Sequence, residues 1–182
     1  MFEFQGSWET EGDPIKKIQD FFKKNNLEIL VGFPSGRQHI PTLHRKEKSG
    51  KSKNAEYKSY GKTKPQDMIP VDTAELAKTL SFGTATIPAR PFLKEGLDSK
   101  GKEINAEIGK QIELSKAGKK TNWQKVGTKA VGAIQEFVRG DYYKSAVPNS
   151  QKTIDYKGSD TPLIDGADMI NALSFVIKEG KT

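Results

Sequence analysis

The sequence predicts an α+β fold in which a small antiparallel sheet packs against two or three helices and carries a long basic loop insertion. Three features of the chain predict this class. Apolar residues recur three and four apart in several segments, as in helices, and they alternate in two short segments, as in strands. Residues 34–68 have little apolar periodicity and are rich in Lys, Ser and Gly. The length of 182 residues suits a single domain, which we place at residues 1–182.

The first helix is predicted to begin at Asp13-Pro14, because aspartate is a good N-cap and proline suits the first helical position. Asn25-Asn26 is expected to end it. Its apolar stripe consists of Ile15, Ile18, Phe21 and Phe22. Residues 27–33 then alternate as a strand, and its apolar face carries Leu27, Ile29, Val31 and Phe33.

After the insertion, Asp72 and Glu75 have the spacing of a capping box and predict a short helix that runs through Leu80. Residues 84–87 are β-prone, and Gly83 and Pro88 bound them. A long helix is predicted to begin at Pro91. Its apolar stripe is interrupted by three glycines that weaken it, and the stripe consists of Phe92, Leu97, Ile104, Ile108, Ile112 and Leu114.

Residues 117–120 break the helical pattern, and Thr121 with Gln124 then has capping-box spacing for another helix. The apolar face of that helix carries Trp123, Val126, Ala130, Ile134, Phe137 and Val138. Gly140-Asp141 is expected to end it, and residues 142–161 are polar and are expected to be irregular. Residues 173–177 predict a closing strand, preceded by a short helix or turn.

The positive charge of the chain is concentrated in one segment. Between residues 34 and 66, nine basic residues oppose two glutamates, which gives +7 and equals the whole formal net charge. The remaining chain has 21 basic and 21 acidic residues. The nine basic residues are Arg37, Arg45, Lys46, Lys48, Lys51, Lys53, Lys58, Lys62 and Lys64.

This basic segment has two interpretations that the sequence leaves open. It is a solvated, flexible insertion, or it is an arm that contacts phosphate on DNA or an acidic partner surface. Phosphate contacts need positive charge at moderate density and no fixed geometry, so the composition alone is compatible with the second interpretation.

Composition excludes several classes of protein. There is no cysteine, which rules out disulfides, thiolate metal sites and a cysteine nucleophile. No apolar run approaches the ~20 residues that a membrane-spanning helix needs, and the N-terminus lacks a secretory signal pattern, so we expect synthesis in a cytoplasm and no membrane partner. The mean hydropathy of −0.68 is low for a self-contained core and favours either a flexible insertion or a protein completed by its neighbours.

No catalytic constellation is visible. His39 and His44 lie in the basic segment without a nearby set of carboxylates. Asp160, Asp165 and Asp168 lack the glycine and terminal glutamate of a calcium loop, and turn-forming or capping roles explain them better. We therefore expect no enzyme activity, no cofactor and no metal.

The segment from Phe82 to Leu93 is the most distinctive local pattern, because Arg90 lies between Pro88 and Pro91. Each proline fixes its own φ and restricts the residue before it, while Gly83 permits a sharp turn. We expect a rigid presentation in which Arg90 pairs with a carboxylate, within the fold or on a neighbouring subunit. The alternative is a surface cation that lies between prolines by chance.

The same segment carries a family resemblance, and so does a second one. The first motif is Phe82-Gly83-Thr84 followed by Ala89-Arg90-Pro91-Phe92-Leu93, and the second runs from Lys157-Gly158-Ser159 to Pro162-Leu163-Ile164-Asp165, ahead of the closing strand. In this order, the pair resembles the tail-completion, or neck, proteins of tailed bacteriophages, of the tail-component or virion-morphogenesis type. The chain departs from that pattern at Gly166-Ala167, where Thr-Gly is usual.

The resemblance implies a structural virion protein that forms a ring at the top of the phage tail, joins it to the head-neck connector and lines the DNA passage. The implied partners are other copies of the chain in a sixfold or tail-matched ring, connector or head-closure proteins, tail tube or terminator proteins, and phage DNA. The implied location is the virion, after assembly in the host cytoplasm. The expected interface and anchor residues are Phe82, Gly83, Arg90, Pro91, Phe92, Leu93 and Asp165. The alternative function is a small basic nucleic-acid-binding protein that acts through its Lys/Arg-rich loop.

Overall fold

The computed structural model of the chain describes residues 14–39, 71–165 and 167–179. In these ranges the predicted α+β class is confirmed, and a small two-stranded antiparallel sheet is present. The helices are α1 (Pro14–Lys24), α2 (Thr73–Phe82), α3 (Phe92–Ser99), α4 (Gly101–Lys116), α5 (Gln124–Arg139), α6 (Tyr142–Ala146), α7 (Gln151–Lys157) and α8 (Asp168–Ala172). The strands are β1 (Leu27–Gly32), β2 (Gln38–His39), β3 (Val71–Asp72) and β4 (Ser174–Glu179).

The elements form two compact units that are interleaved along the chain. Among the described residues, the first unit comprises 14–33, 93–136 and 173–179, and the second comprises 34–39, 71–92, 137–165 and 167–172. The chain therefore passes between the units four times. That residues 1–182 act as one domain stays a prediction.

The first unit is built on the antiparallel pairing of β1 with β4, in a register that joins Leu27 to Glu179 and Gly32 to Ser174. Both strands were predicted, and the structure confirms them. The core beneath the sheet contains the buried side chains of Leu27, Ile112, Trp123 and Val126. The partly buried residues packed against it are Ile18, Phe21, Phe22, Ile29, Ile104, Ile108 and Ile177.

Helix α1 ends where the sequence predicted, at the paired asparagines. The main-chain N–H and the side-chain amide of Asn25 both donate to the carbonyl oxygen of Phe21, at 3.0 and 2.8 Å. Asn26 has a φ of 49°, a left-handed conformation that asparagine tolerates better than most residues. The predicted cap at Asp13 lies outside the described residues.

The long helix predicted from Pro91 is instead two helices, α3 and α4, which meet at Lys100 with φ −119° and ψ 21°. The first of them begins at Phe92, one residue later than predicted. Gly96 has a packing role that the sequence did not reveal, because a Cβ there would lie 2.8 Å from the Cα of Ile134. A side chain at this position would therefore push α3 away from α5.

Asp72 organises the start of the second unit. Its side chain caps α2 by accepting from the N–H groups of Ala74 and Glu75, at 2.8 and 3.4 Å, and its other oxygen accepts from Gly36 at 2.6 Å. These bonds, the one from Gly36 first, hold the pKa of Asp72 below its ordinary value. The predicted cap is confirmed, and the helix runs two residues beyond Leu80. Since β2 also pairs with β3, residues 38–39 and 71–72 lie side by side.

Residues 142–161 were predicted to be irregular, and this was wrong. They contain α6 and α7, of five and seven residues, which are too short to show apolar periodicity. The signals for α7 are local: the Ser150 hydroxyl accepts from the N–H of Thr153 at 3.2 Å, and Gly158 ends the helix in a left-handed conformation.

Gly127 gives a test of the packing in the first unit. A Cβ at this position would lie 2.2 Å from the ring of Phe175 on β4, so we expect Gly127→Ala to lower the free energy of unfolding by about 1–3 kcal/mol. Gly132→Ala on the same helix is the control. A Cβ there meets open space, so alanine's higher helix propensity should raise stability by up to about 1 kcal/mol. Denaturant unfolding of both variants measures the difference, and equal effects would contradict the packing of α5 against β4.

Candidate functional site

The proline turn, residues 83–91, follows directly from the end of α2. Gly83 has φ 72°, and its N–H donates to the Thr79 carbonyl at 2.8 Å. A Cβ on Gly83 would lie 2.6 Å from the carbonyl oxygen of Ile87 and 2.7 Å from the nitrogen of Ala89. Glycine is therefore required here both by conformation and by space.

Hydrogen bonds close the proline turn on itself. The N–H of Thr84 donates to the Ile87 carbonyl at 2.8 Å, and the Thr84 hydroxyl accepts from the N–H groups of Thr86 and Ile87 at 3.3 and 3.1 Å. The N–H of Arg90 donates to the Leu80 carbonyl at 2.8 Å and ties the returning chain to α2. The β-prone residues 84–87 thus form a turn and not a strand, because their polar groups are satisfied locally.

Arg90 is buried, with 5% of its surface exposed, and is not displayed on the turn. Its Nε–H donates to the carbonyl of Val147 at 3.0 Å and its Nη2–H donates to the carbonyl of Pro148 at 3.1 Å. The expected carboxylate partner is therefore replaced by two successive main-chain carbonyls. These carbonyls follow the end of α6, where a helix leaves its last acceptors unpaired, and a guanidinium fork satisfies both.

A second cation, Lys157, lies within electrostatic reach of Arg90 in the same unit. Its side chain is 8% exposed, and its Nζ donates to the Thr161 carbonyl at 2.8 Å. Burial lowers the pKa of Lys157, the carboxylate of Asp165 opposes that shift, and the charge of Arg90 adds to it. Burial also lowers the pKa of Arg90, and Tyr143 opposes it. Arg90 and Lys157 are thus two buried cations within electrostatic range of each other, and the half-buried carboxylate of Asp165 lies within range of Lys157; we call these three residues the buried cation cluster.

This cluster joins the two motifs that carry the family resemblance. Arg90 comes from the first motif, and Lys157 and Asp165 come from the second. Lys157 was not among the predicted site residues. It is the last residue of α7, directly before the left-handed Gly158 that ends the helix. No pattern in the sequence indicated that Arg90 would donate hydrogen bonds to the carbonyls of Val147 and Pro148.

The other predicted interface residues lie in different environments. Phe92 is fully buried in the core, Leu93 is partly buried, and Pro91 is exposed. Phe82 is 61% exposed at the edge of the proline turn, so it does not supply the apolar packing expected around Arg90. Of the nine predicted phosphate-contact residues, Arg37 is exposed and the other eight lie outside the described residues.

Two further predictions concern absent features. In the described ranges, no group of three or more His, Asp or Glu side chains is placed to hold a metal ion. The same part of the chain contains no helix with both the length and the apolar character needed to cross a bilayer.

Comparisons with known proteins add no family. No protein-family model, curated protein or solved structure matches this chain.

Two residues have left-handed conformations near the end of the second motif: Leu163, within the motif, has φ 64°, and Ala167, just after it, has φ 63°. We expect Ala167→Gly to raise the free energy of unfolding by about 0.5–1 kcal/mol, because glycine adopts this φ without the clash of a Cβ. Ala146→Gly, at the end of α6, should be neutral or destabilising and serves as the control. Thermal unfolding compares the two, and a loss of stability in Ala167→Gly would contradict the conformation of this turn.

Arg90→Lys tests the role of the guanidinium. A lysine cannot donate to both carbonyls from one planar fork, so we expect a loss of about 1.5–3 kcal/mol in the free energy of unfolding. Arg139→Lys is the matched control, since Arg139 is exposed and donates to Asn171 at 3.3 Å; its effect should stay within about 0.5 kcal/mol. Denaturant titration measures both. If the two substitutions cost the same, the buried fork does not stabilise the second unit.

Proposed function

We propose that this chain is a structural subunit of a tailed-phage virion that forms a ring at the top of the tail. The ring joins the tail to the head-neck connector and lines the passage of the DNA. The observation that carries the proposal is the buried cation cluster. It links the two resemblance motifs in one unit, although Arg90 and Lys157 are far apart along the chain.

The geometry of the proline turn supports an assembly role more than catalysis. The turn is held by Gly83, by the Thr84 hydrogen bonds and by the buried guanidinium of Arg90. A rigid surface loses little conformational entropy when a neighbour binds it, which favours repeated contacts between identical subunits. Phe82 lies at the edge of this surface with 61% of its area exposed and supplies an apolar contact.

A nucleic-acid-binding protein is the second candidate, and the observation that favours it is the charge of residues 34–66. Strands β2 and β3 pair, so the described residues on either side of residues 40–70 lie next to each other. Such a protein would bind DNA as a monomer, with an affinity that falls steeply as salt is raised.

The two candidates differ in oligomeric state. We expect the purified chain to form closed rings, alone or with connector and tail proteins, in negative-stain images and in light scattering. We also expect Phe82→Ser to weaken ring assembly about tenfold or more, as loss of an apolar contact at an interface does. Val176→Ser, on β4, is the matched control because Val176 is 57% exposed, and it should assemble as the unmodified chain does.

Two results would contradict the ring proposal. One is a monomer at every concentration and with every neck partner. The other is a particle image in which this polypeptide lies away from the junction of capsid and tail.

A further inference from the structure

The first unit contains a second basic surface, separate from residues 34–66. From Ser115 to Gln135 the chain has five lysines and no acidic residue. Lys116 pairs with Glu113 at 2.9 Å. The other four are exposed, and none of them forms an ion pair with another described residue. We define the lysine turn as these four residues: Lys119, Lys120, Lys125 and Lys129.

Three lysines of the lysine turn, Lys120, Lys125 and Lys129, line two adjoining hollows at the start of α5. The larger has a volume of about 790 Å³ and is lined by Lys120, Thr121, Asn122, Trp123, Gln124 and Ile177. The smaller, of about 320 Å³, is lined by Asn122, Gln124, Lys125, Thr128 and Lys129. Both share Asn122 and Gln124, so they adjoin, and most of the residues that line them are polar or charged. Lys125 and Lys129 are four residues apart on a helix and therefore face the same side.

A neighbouring helix adds charge of the same sign. The rings of Phe21 and Phe22 on α1 contact Trp123, with centroids 5.9 and 5.4 Å apart from it. This helix carries four lysines and one aspartate, a net charge of +3. The lysines of α1 are exposed, and the one acidic residue of this helix is Asp20.

We propose that the lysine turn binds the phosphate backbone of duplex DNA without reading its sequence. Protein interfaces are depleted in lysine, whereas the exposed charged residues of this surface are all lysines, so an acidic protein fits it less well. Lysine is a compact point charge that contacts phosphate without a fixed geometry, and every charged residue of this surface is a lysine. The inference does not depend on ring formation, since a monomer offers the same surface.

The test uses the full chain and a random-sequence duplex of about 25 base pairs, with binding followed by fluorescence anisotropy between about 50 and 200 mM salt. The variant is Lys120→Gln/Lys125→Gln/Lys129→Gln. We expect its affinity to fall at least about tenfold at 100 mM salt, and its slope of log affinity against log salt to shrink by about 2–3, because each lost phosphate contact removes about 0.9.

The matched control is Lys78→Gln/Lys102→Gln/Lys152→Gln. It removes the same net charge from three exposed lysines that form no ion pair with a described residue. It should keep the affinity and nearly the whole slope of the unmodified chain. A third variant, Lys46→Gln/Lys48→Gln/Lys51→Gln, measures separately how much residues 34–66 contribute to the DNA affinity.

Three outcomes would overturn the inference. The first is an equal loss of DNA affinity in the lysine-turn variant and its matched control, which would show that only the net charge of the protein matters. The second is a loss confined to the variant of residues 46–51. The third is equally tight binding of polyglutamate at the same salt, lost in the lysine-turn variant, which would identify an acidic protein as the partner. A protein that passes this test but stays monomeric at every concentration and with every neck partner would contradict the ring and leave the inference standing.

Discussion

The second unit depends on one interaction, the burial of the Arg90 guanidinium against the carbonyls of Val147 and Pro148. A guanidinium is never deprotonated in a protein, so burying it requires acceptors that take the place of water. Carbonyls after a helix end supply this, because they carry partial negative charge and have no intrahelical donor. The interaction therefore satisfies both groups at once. The interaction also holds the proline turn in place, since Arg90 lies between Pro88 and Pro91 and each of these prolines fixes its own φ.

Lys157 makes the same cluster harder to stabilise. Two buried cations near each other raise the free energy of the folded state, and Asp165 is the carboxylate that opposes this. The ammonium of Lys157 is tied to the Thr161 carbonyl in the loop that follows its own helix, which keeps it in place. A cluster with more positive than negative charge is costly as a source of stability alone.

Local signals in the sequence predicted the elements that are decided locally. Helix α1 follows from a strong apolar stripe and an asparagine stop, and the start of α2 follows from Asp72, whose carboxylate reaches the N–H groups two and three residues on. Long-range contacts could not be predicted in this way. The acceptors of Arg90 lie 57 and 58 residues away, and main-chain carbonyls carry no residue identity. Gly96 was read as a helix weakener because its role, the approach of Ile134, is a contact between distant segments.

Charge shows the same difference between features that are decided locally and features that depend on distant segments. Outside residues 34–66 the chain sums to neutrality, which suggested a neutral body with one basic segment. That sum combines residues 1–13, with four acidic residues and no basic one, with a stretch from Ser115 to Gln135 that has lysines alone. An electrostatic surface is decided by which charges are close in space, because charges further apart than about 8–10 Å are screened in physiological salt. A polyanion that meets α5 therefore encounters Lys125 and Lys129 on one helix face, whatever the net charge of the rest of the chain.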